Sequence, residues 1–442
     1  MCPYFPQISR DFIGSKHVEA HHYRIDRTDE RIIVSLITTD AVTLTELKRH
    51  AADDVESRRD ELLALSHAIH ENPELSWQEH EAAALVARTL DDAGFDVEVG
   101  AYGVATAVEA VYGTGDLTVA ICAEYDALPG IGHGCGHNVI AASGVGAALA
   151  LAPLADAAGL RIKLLGTPAE EHGGGKVAML LAGAWEDVDF SLMVHGMTGE
   201  DISATAFSAT AVDRFEVVFH GRTAHAAGMP EQGLNAASAA AIAQTAIAFL
   251  RQQLPKDTNL NAYVSHGGEA TNIIPDRAVV QVELRAYDID VWRDMKKRVL
   301  SCFEGAAIAT GCRWEWSPTE HPYAPVRHDA SLGALWDRNL VARGRTIGAA
   351  PMGGGSTDMG NVSQVVPSIH PTIAFLGQTG PAHNPEFTAA AATPAADEAV
   401  IDAATILAWT VLDVALDDAL RADLLHRTAE RPVGATRTTL EA

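Results

Sequence analysis

The sequence is poor in cysteine, short of basic residues and without long apolar runs, and each shortage excludes something. Five cysteines occur among 442 residues, at Cys2, Cys122, Cys135, Cys302 and Cys312. An odd, scattered set is not a disulfide framework, so a reducing cytoplasm is expected and each thiol is core filler or a ligand. Lysine and arginine number 32 against 58 aspartates and glutamates, a formal charge of −26. So acidic a surface argues against nucleic acid and anionic membrane as partners. No segment approaches the ~18 uninterrupted apolar residues of a spanning helix. The best, Gly144–Leu154, is short and broken by Pro153. Pro3, Pro6 and early charges stand where a signal peptide would be apolar. What remains is an ordinary globular composition, 48 % apolar and 20 % charged. At ~150 residues per domain the length allows two or three domains.

Residues 1–50 read as an N-terminal extension containing a candidate strand, Ile32–Thr39. From Asp54 the pattern is helical through His70, and Pro73 ends it. A second helix is expected over Trp77–Ala93, closed by Gly94. Short apolar strands then alternate with Ala-rich helices. The strands are Leu117–Ala123, Arg161–Leu165, Phe190–Val194 and Thr372–Leu376; the helices are Val139–Leu151, Lys176–Ala182 and Ala395–Leu416. Such alternation signals an α/β domain with a largely parallel sheet, whose ligands gather beyond the carboxyl ends of the strands. Between Ala209 and His321 the rhythm changes to strand, helix, strand, strand, helix, strand. That βαββαβ order reads as an inserted α+β sandwich. The expected division is an extension at 1–50, a catalytic domain at 51–208 and 323–425, an inserted domain at 209–322 and a tail at 426–442.

Four short motifs carry chemistry. In GHGCGHN, Cys135 and His137 sit two apart after a strand, so both reach one point in an extended loop. Thiolate and imidazole together suit zinc or a similar borderline ion, although a Gly-rich turn with a half-buried thiol fits the same residues. In TPAEEHGGG, Glu170 and Glu171 would be costly to bury as two bare charges. One as metal ligand and the other as water-activating base would explain the pair; two solvated glutamates would too. His195 in MVHG and His383 in GPAHNPEF each follow a strand, where a structural histidine is also common. Taken together, four strands deliver Cys, His or Glu at one end of one sheet. A metal site of Cys135, His137, Glu171, His195 and His383 is the economical account. Five ligands exceed the needs of one tetrahedral ion and suit two ions with a shared ligand or one well-furnished catalytic ion; two are favoured.

With these residues in view, the chain resembles the co-catalytic metallopeptidases and amidohydrolases. That family includes aminoacylases, carboxypeptidase G-type enzymes, indoleacetyl-amino acid hydrolases and aminobenzoyl-glutamate hydrolase. The resemblance covers about Asp54 to Leu416 and rests on HENPELSWQE, AEYDALPGIGHGCGHN, TPAEEHGGGK, MVHG, FHGRTAHAA, TNIIPDRA and PAHNPEF, in the family's order. Many relatives open their site with a His-x-Asp pair; this chain has the Cys-Gly-His form of the amidohydrolase branch. CGHN and GSTDMGNVSQVVPSIHP (Gly355–Pro371) resemble the aminobenzoyl-glutamate hydrolase and Xaa-Arg dipeptidase group.

The resemblance implies a parallel-sheet catalytic domain of the zinc-peptidase type with an inserted ferredoxin-like dimerisation and lid domain. Cys135, His137, Glu171, His195 and His383 fall on the ligands of two divalent ions, zinc or manganese. Glu170 falls on the general base, and Asp126 on an acidic position near the metals. His225 falls on a residue that reaches in from a partner subunit to stabilise the oxyanion; Asn272 and Arg285 fall on substrate-binding positions. An Arg at a strand edge also suits a plain salt bridge. The implied activity is metal-dependent hydrolysis of the amide of an N-acyl amino acid or dipeptide, a small molecule, by a homodimer. Two alternatives stay open: ureido or carbamoyl C–N hydrolysis on the same fold, and a catalytically silent ligand-binding protein.

Overall fold

The computed structural model describes residues 38–349, 352–353 and 355–438. The candidate strand Ile32–Thr39 lies outside these except for Thr38 and Thr39, which open a helix.

In chain order the first segment holds α1 (Thr38–Ser57), α2 (Arg59–Glu71), α3 (His80–Asp92), β1 (Asp96–Val99), β2 (Val108–Tyr112), β3 (Leu117–Ala123), α4 (His137–Leu151), α5 (Ala155–Ala158), β4 (Leu160–Gly166), α6 (Gly175–Leu181), β5 (Phe190–Leu192), β6 (His195–Gly199) and β7 (Phe207–Ser208). The middle segment holds β8 (Ala211–His220), α7 (Ala236–Arg251), β9 (Thr258–His266), β10 (Arg277–Ala286), α8 (Ile289–Thr310) and β11 (Arg313–Pro318). The last holds α9 (Ala330–Ala342), β12 (Met352–Gly353), α10 (Met359–Val365), β13 (Ser368–Ile369), β14 (Thr372–Leu376), α11 (Pro385–Ala390), α12 (Pro394–Leu416) and α13 (Asp418–Glu430).

The main sheet runs β1-β2-β4-β3-β5-β13. It is parallel from β4 to β13, while β1 and β2 pair antiparallel at one edge. The single parallel sheet expected from the sequence also divides: β6 and β14 pair with each other. They prolong the β5–β13 ladder through Met193 N–H to Ile369 O and His195 N–H to Pro371 O. The strand expected over Phe190–Val194 therefore stops at Leu192, and His195 begins the next one.

Helix α4 is buried along its whole length between the sheet, α2 and α12. Small residues permit this: a Cβ on Gly146 would meet Leu62 Cδ1 at 2.8 Å and Ala404 Cβ at 2.9 Å. The long apolar helices of the chain are thus core helices. Two expected helices begin or break elsewhere. The stretch Asp54–His70 is interrupted at Arg58, and the helix expected from Trp77 starts at His80 because Trp77 takes a φ of +68°.

The middle segment forms its own antiparallel sheet, β11-β8-β10-β9, the ferredoxin-like order. Helices α7 and α8 cover one face and share an apolar core with it, including Phe215, Phe219, Ile247, Trp292 and Phe303. Side chains of Asn235 and Asp288 cap both helices.

Candidate metal centre

Beyond β3 the chain turns into α4 through Gly136, whose φ of +73° only glycine adopts without strain. That turn sets Cys135 on the loop and His137 on the first turn of the helix, both buried. Beyond β4, Ala169 is held at φ +58° just before Glu170 and Glu171. Its N–H donates to Glu79 Oε1 at 2.8 Å, and the Trp77 N–H and Thr106 hydroxyl, each at 2.9 Å, complete the buried Glu79 carboxylate. The strained residue is thus over-determined by its surroundings, as strain at a working site must be. Tyr323 OH fixes the Glu170 carbonyl at 2.7 Å.

His195 Nδ1 donates to the Gly196 carbonyl at 2.7 Å, which leaves the Nε2 lone pair available to a ligand. His383, also left-handed at φ +63°, donates its N–H to the Gly134 carbonyl at 2.9 Å, so the two loops are tied together. Its ring is largely exposed, with Nε2 at 3.4 Å from Glu171 Oε2. Donor atoms of Cys135, His137 and His195 lie within 4.8 Å of one another, and so do those of Cys135, Glu171 and His383. Cys135 belongs to both groups.

The interior of this cluster has the spacing of a cation site. His137 Nε2 faces Glu124 Oε2 at 3.6 Å, Glu170 Oε2 at 3.8 Å and Glu171 Oε1 at 3.9 Å. These separations exceed a hydrogen bond but approach the ~3.4 Å between donors of a tetrahedral ion with ~2.1 Å bonds. Neither His137 Nε2 nor Glu124 Oε2 has a hydrogen-bond partner among the described residues, although both are buried. Thiol, imidazole and carboxylate donors converging around two such unpartnered atoms fit a borderline divalent ion.

The supporting groups fix the ligands. Asp126 Oδ1 accepts a hydrogen bond from His137 Nδ1 at 3.0 Å, and its Oδ2 accepts from Ser76 Oγ at 2.8 Å and Glu171 N–H at 3.0 Å. Burial alone would raise this carboxyl, but His137 and the other donors hold it down to about 2. Glu170 is pushed well above the ordinary carboxylate range by burial and then by Glu124 and Glu171. Burial likewise lowers His195 to about 4, so its imidazole is neutral and available as a ligand.

Cys135, Glu170, Glu171, His195 and His383 line one cavity of about 550 Å³. Arg285, on β10 of the inserted domain, lines it too, with Nη1 at 3.1 Å from Ser356 Oγ and Nε at 2.8 Å from Glu283. His225 and Asn272 do not. They sit side by side on exposed loops of the inserted domain, joined by the Ala226 N–H to Asn272 O bond at 3.0 Å. His225 Nδ1 accepts the N–H groups of Ala227 at 3.2 Å and Gly228 at 3.0 Å, so the proton of the neutral ring sits on Nε2 as an outward donor.

Sequence reasoning missed Glu79, Glu124, Lys176 and Asp358. All four are buried, and Lys176 bridges Glu124 Oε1 at 2.5 Å and Asp358 Oδ1 at 2.7 Å. All four lie inside quoted motifs: SWQE, AEYDALP, GGGK and GSTDMG. Their presence was visible; their meeting was not.

Comparison with known proteins agrees with this geometry. The family model for the peptidase dimerisation domain (M20_dimer) matches residues 211–310. The chain is 36 % identical over 406 residues to the Xaa-Arg dipeptidase of Mus musculus, an alignment covering 87 % of this chain and 92 % of the mouse protein. It is 29 % identical to one of the subunits of p-aminobenzoyl-glutamate hydrolase of Escherichia coli, over 60 % of this chain and 59 % of that protein. Its fold matches a dinuclear metal-binding peptidase from the M20 family of Bacillus subtilis with a TM-score of 0.62 at 22 % identity, over 81 % of this chain and 99 % of the other. With its cation-shaped cluster of ligands, the chain belongs to the M20 peptidase family and is a metal-dependent amidohydrolase.

Proposed function

We propose that the protein cleaves the amide of a dipeptide or N-acyl amino acid whose leaving residue bears a free carboxylate. Two ions, zinc or manganese, would sit in the two donor groups that share Cys135. That sharing carries the reading, since one tetrahedral ion leaves donors unused. Cys135, His137 and His195 would hold one ion; Cys135, Glu171 and His383 the other. When bound, the ions supply Lewis acidity toward the amide carbonyl and the attacking water. Glu170 takes a proton from that water and delivers it to the leaving amine, a role suited to its raised affinity for protons. Arg285 and Ser356 receive the carboxylate, since a guanidinium can present paired donors to it. The names of the mouse and E. coli relatives support a dipeptide or acyl-amino-acid substrate.

The exposed His225 Nε2–H and the adjacent Asn272 support a homodimer in which each inserted domain completes the site of the other protomer. The inserted sheet also ends in an edge strand, β9, that is mostly exposed. The four cysteines among the described residues are free thiols, which supports a cytoplasmic location.

Mass spectrometry of products tests the reading. Metal-reconstituted protein is incubated with dipeptides, N-acyl amino acids and ureido compounds beside a Glu170→Ala control. A free amino acid released by the wild type, absent in the control and after chelation, is the expected result. Ammonia and carbon dioxide from the ureido compounds alone would replace this reading with C–N hydrolysis of that class.

A further inference from the structure

The buried Glu124 carboxylate has one oxygen engaged and one free. Oε1 accepts the Lys176 ammonium at 2.5 Å, and Lys176 is held from behind by Asp358 Oδ1 at 2.7 Å. The Lys176 N–H donates to Asp358 Oδ2 at 2.8 Å, so the ammonium is anchored through both backbone and side chain. All three side chains are 0 % exposed. This clamp fixes the rotation of the Glu124 carboxylate and aims Oε2 at His137 Nε2, 3.6 Å away. Both atoms lack a hydrogen-bond partner among the described residues. An oxygen buried with its lone pairs unused is costly unless something occupies the space it faces. The donor atoms of Glu124, His137 and Glu170 also lie within 4.8 Å of one another.

We infer that Glu124 is an additional oxygen ligand of the ion held by His137, and that Lys176 is the positioning residue that orients it. The inference rests on the metal-centre reading above. It makes this half of the site harder than a thiolate–imidazole set would be, and so more accommodating of manganese relative to zinc. Lys176 offsets one of the two negative charges of Glu124 and Asp358 in a place water does not reach, and a bound cation would offset the other.

The test is equilibrium metal binding by Glu124→Gln, followed by calorimetry and by the visible spectrum of the cobalt-loaded protein. Glutamine keeps the shape and still accepts the Lys176 proton, and Lys176 with Asp358 remains a neutral pair, so the fold is expected to hold. The expected result is a loss of affinity for one ion by about tenfold or more, larger for manganese than for zinc, with altered cobalt d–d bands. Asp358→Asn, which leaves Lys176 an amide-oxygen acceptor and does not face the ion, is expected to change the spectrum less than Glu124→Gln does. Glu124→Gln with wild-type affinity and spectrum overturns the inference, as does an equal spectral change in Asp358→Asn. If Glu124→Gln does not fold, Glu124→Asp is read by the same two criteria, because it keeps the charge and withdraws the oxygen. Wild-type protein that takes up no ion overturns the metal-centre reading itself.

Discussion

In the catalytic half, His137 is buried and its ring is fixed by Asp126, eleven residues away, while Glu124 from the same β3–α4 connection and Glu170 from the loop after β4 close in. In the inserted half, His225 stands at the surface and its ring is fixed by Ala227 and Gly228, two and three residues away. One half assembles its chemistry by long-range convergence and leaves donor atoms unmatched in its interior. The other sets a single donor by a local turn and leaves it facing outward. Unmatched buried donors point to an ion, and a pre-set exposed donor points to a surface that must arrive from elsewhere. Arg285 is the exception that joins the halves: it lies on β10 of the insert yet lines the catalytic cavity.

The comparison can be broken most severely at Glu170. Glu170→Gln is expected to lower kcat by about 10²–10⁴-fold while metal content stays at the wild-type level. A loss of bound metal alongside activity would make Glu170 a ligand and not the base.

In the insert, His225→Ala is expected to lower kcat by about 10²–10³-fold without changing metal content. Mixing it with Glu170→Ala should restore up to about a quarter of the wild-type rate, because half the dimers would be mixed and each would carry one complete site. No restoration under conditions where protomers exchange would place His225 outside the neighbour's site.

A smaller effect separates Arg285 from both. Arg285→Lys keeps the charge and loses the planar fork, so KM for carboxylate-bearing substrates should rise by about tenfold with kcat little changed. Equal effects on a substrate amidated at that carboxylate would show that Arg285 only braces Glu283 and Ser356.

The smallest effect concerns buried imidazoles. Burial chiefly, then the neighbouring His137 and His70, lowers His133 to about 3. An unfolded chain takes up this proton near pH 6.5 and the folded chain refuses it, so the His133 contribution to stability is whole above pH 6.5 and is lost as the pH falls toward 3. Removing the group by His133→Gln should reduce the pH slope of unfolding free energy in metal-free protein by about 1.4 kcal/mol per pH unit between pH 6 and 4.5. An unchanged slope in urea titrations would mean that the ring is hydrated or paired.

Much of the fold was legible because its signals are local. Leu117–Ala123 and Thr372–Leu376 were delimited as strands to the residue, since largely apolar, β-branched runs bounded by turn residues leave little choice. The βαββαβ insert was legible for the same reason. The split of the sheet after Leu192 was not, because the ladder shifts through contacts with Ile369 and Pro371, far along the chain. The helix expected from Trp77 was misplaced because Glu79 is drawn toward Ala169 and Thr106, and Trp77 turns left-handed.

By itself the sequence determined which donor side chains are present and that they follow strands, because each motif writes its thiol, imidazole or carboxylates within a few residues of one another. It also determined the insertion and its element order through hydrophobic periodicity. Only the tertiary structure decided that Lys176 lies against Glu124 and Asp358, partners separated by 52 and 182 positions. The same is true of Glu79 under Ala169, 90 positions away. Buried charges select partners by position in space, where the cost of desolvation must be met by a neighbour, and no spacing along the chain records that requirement.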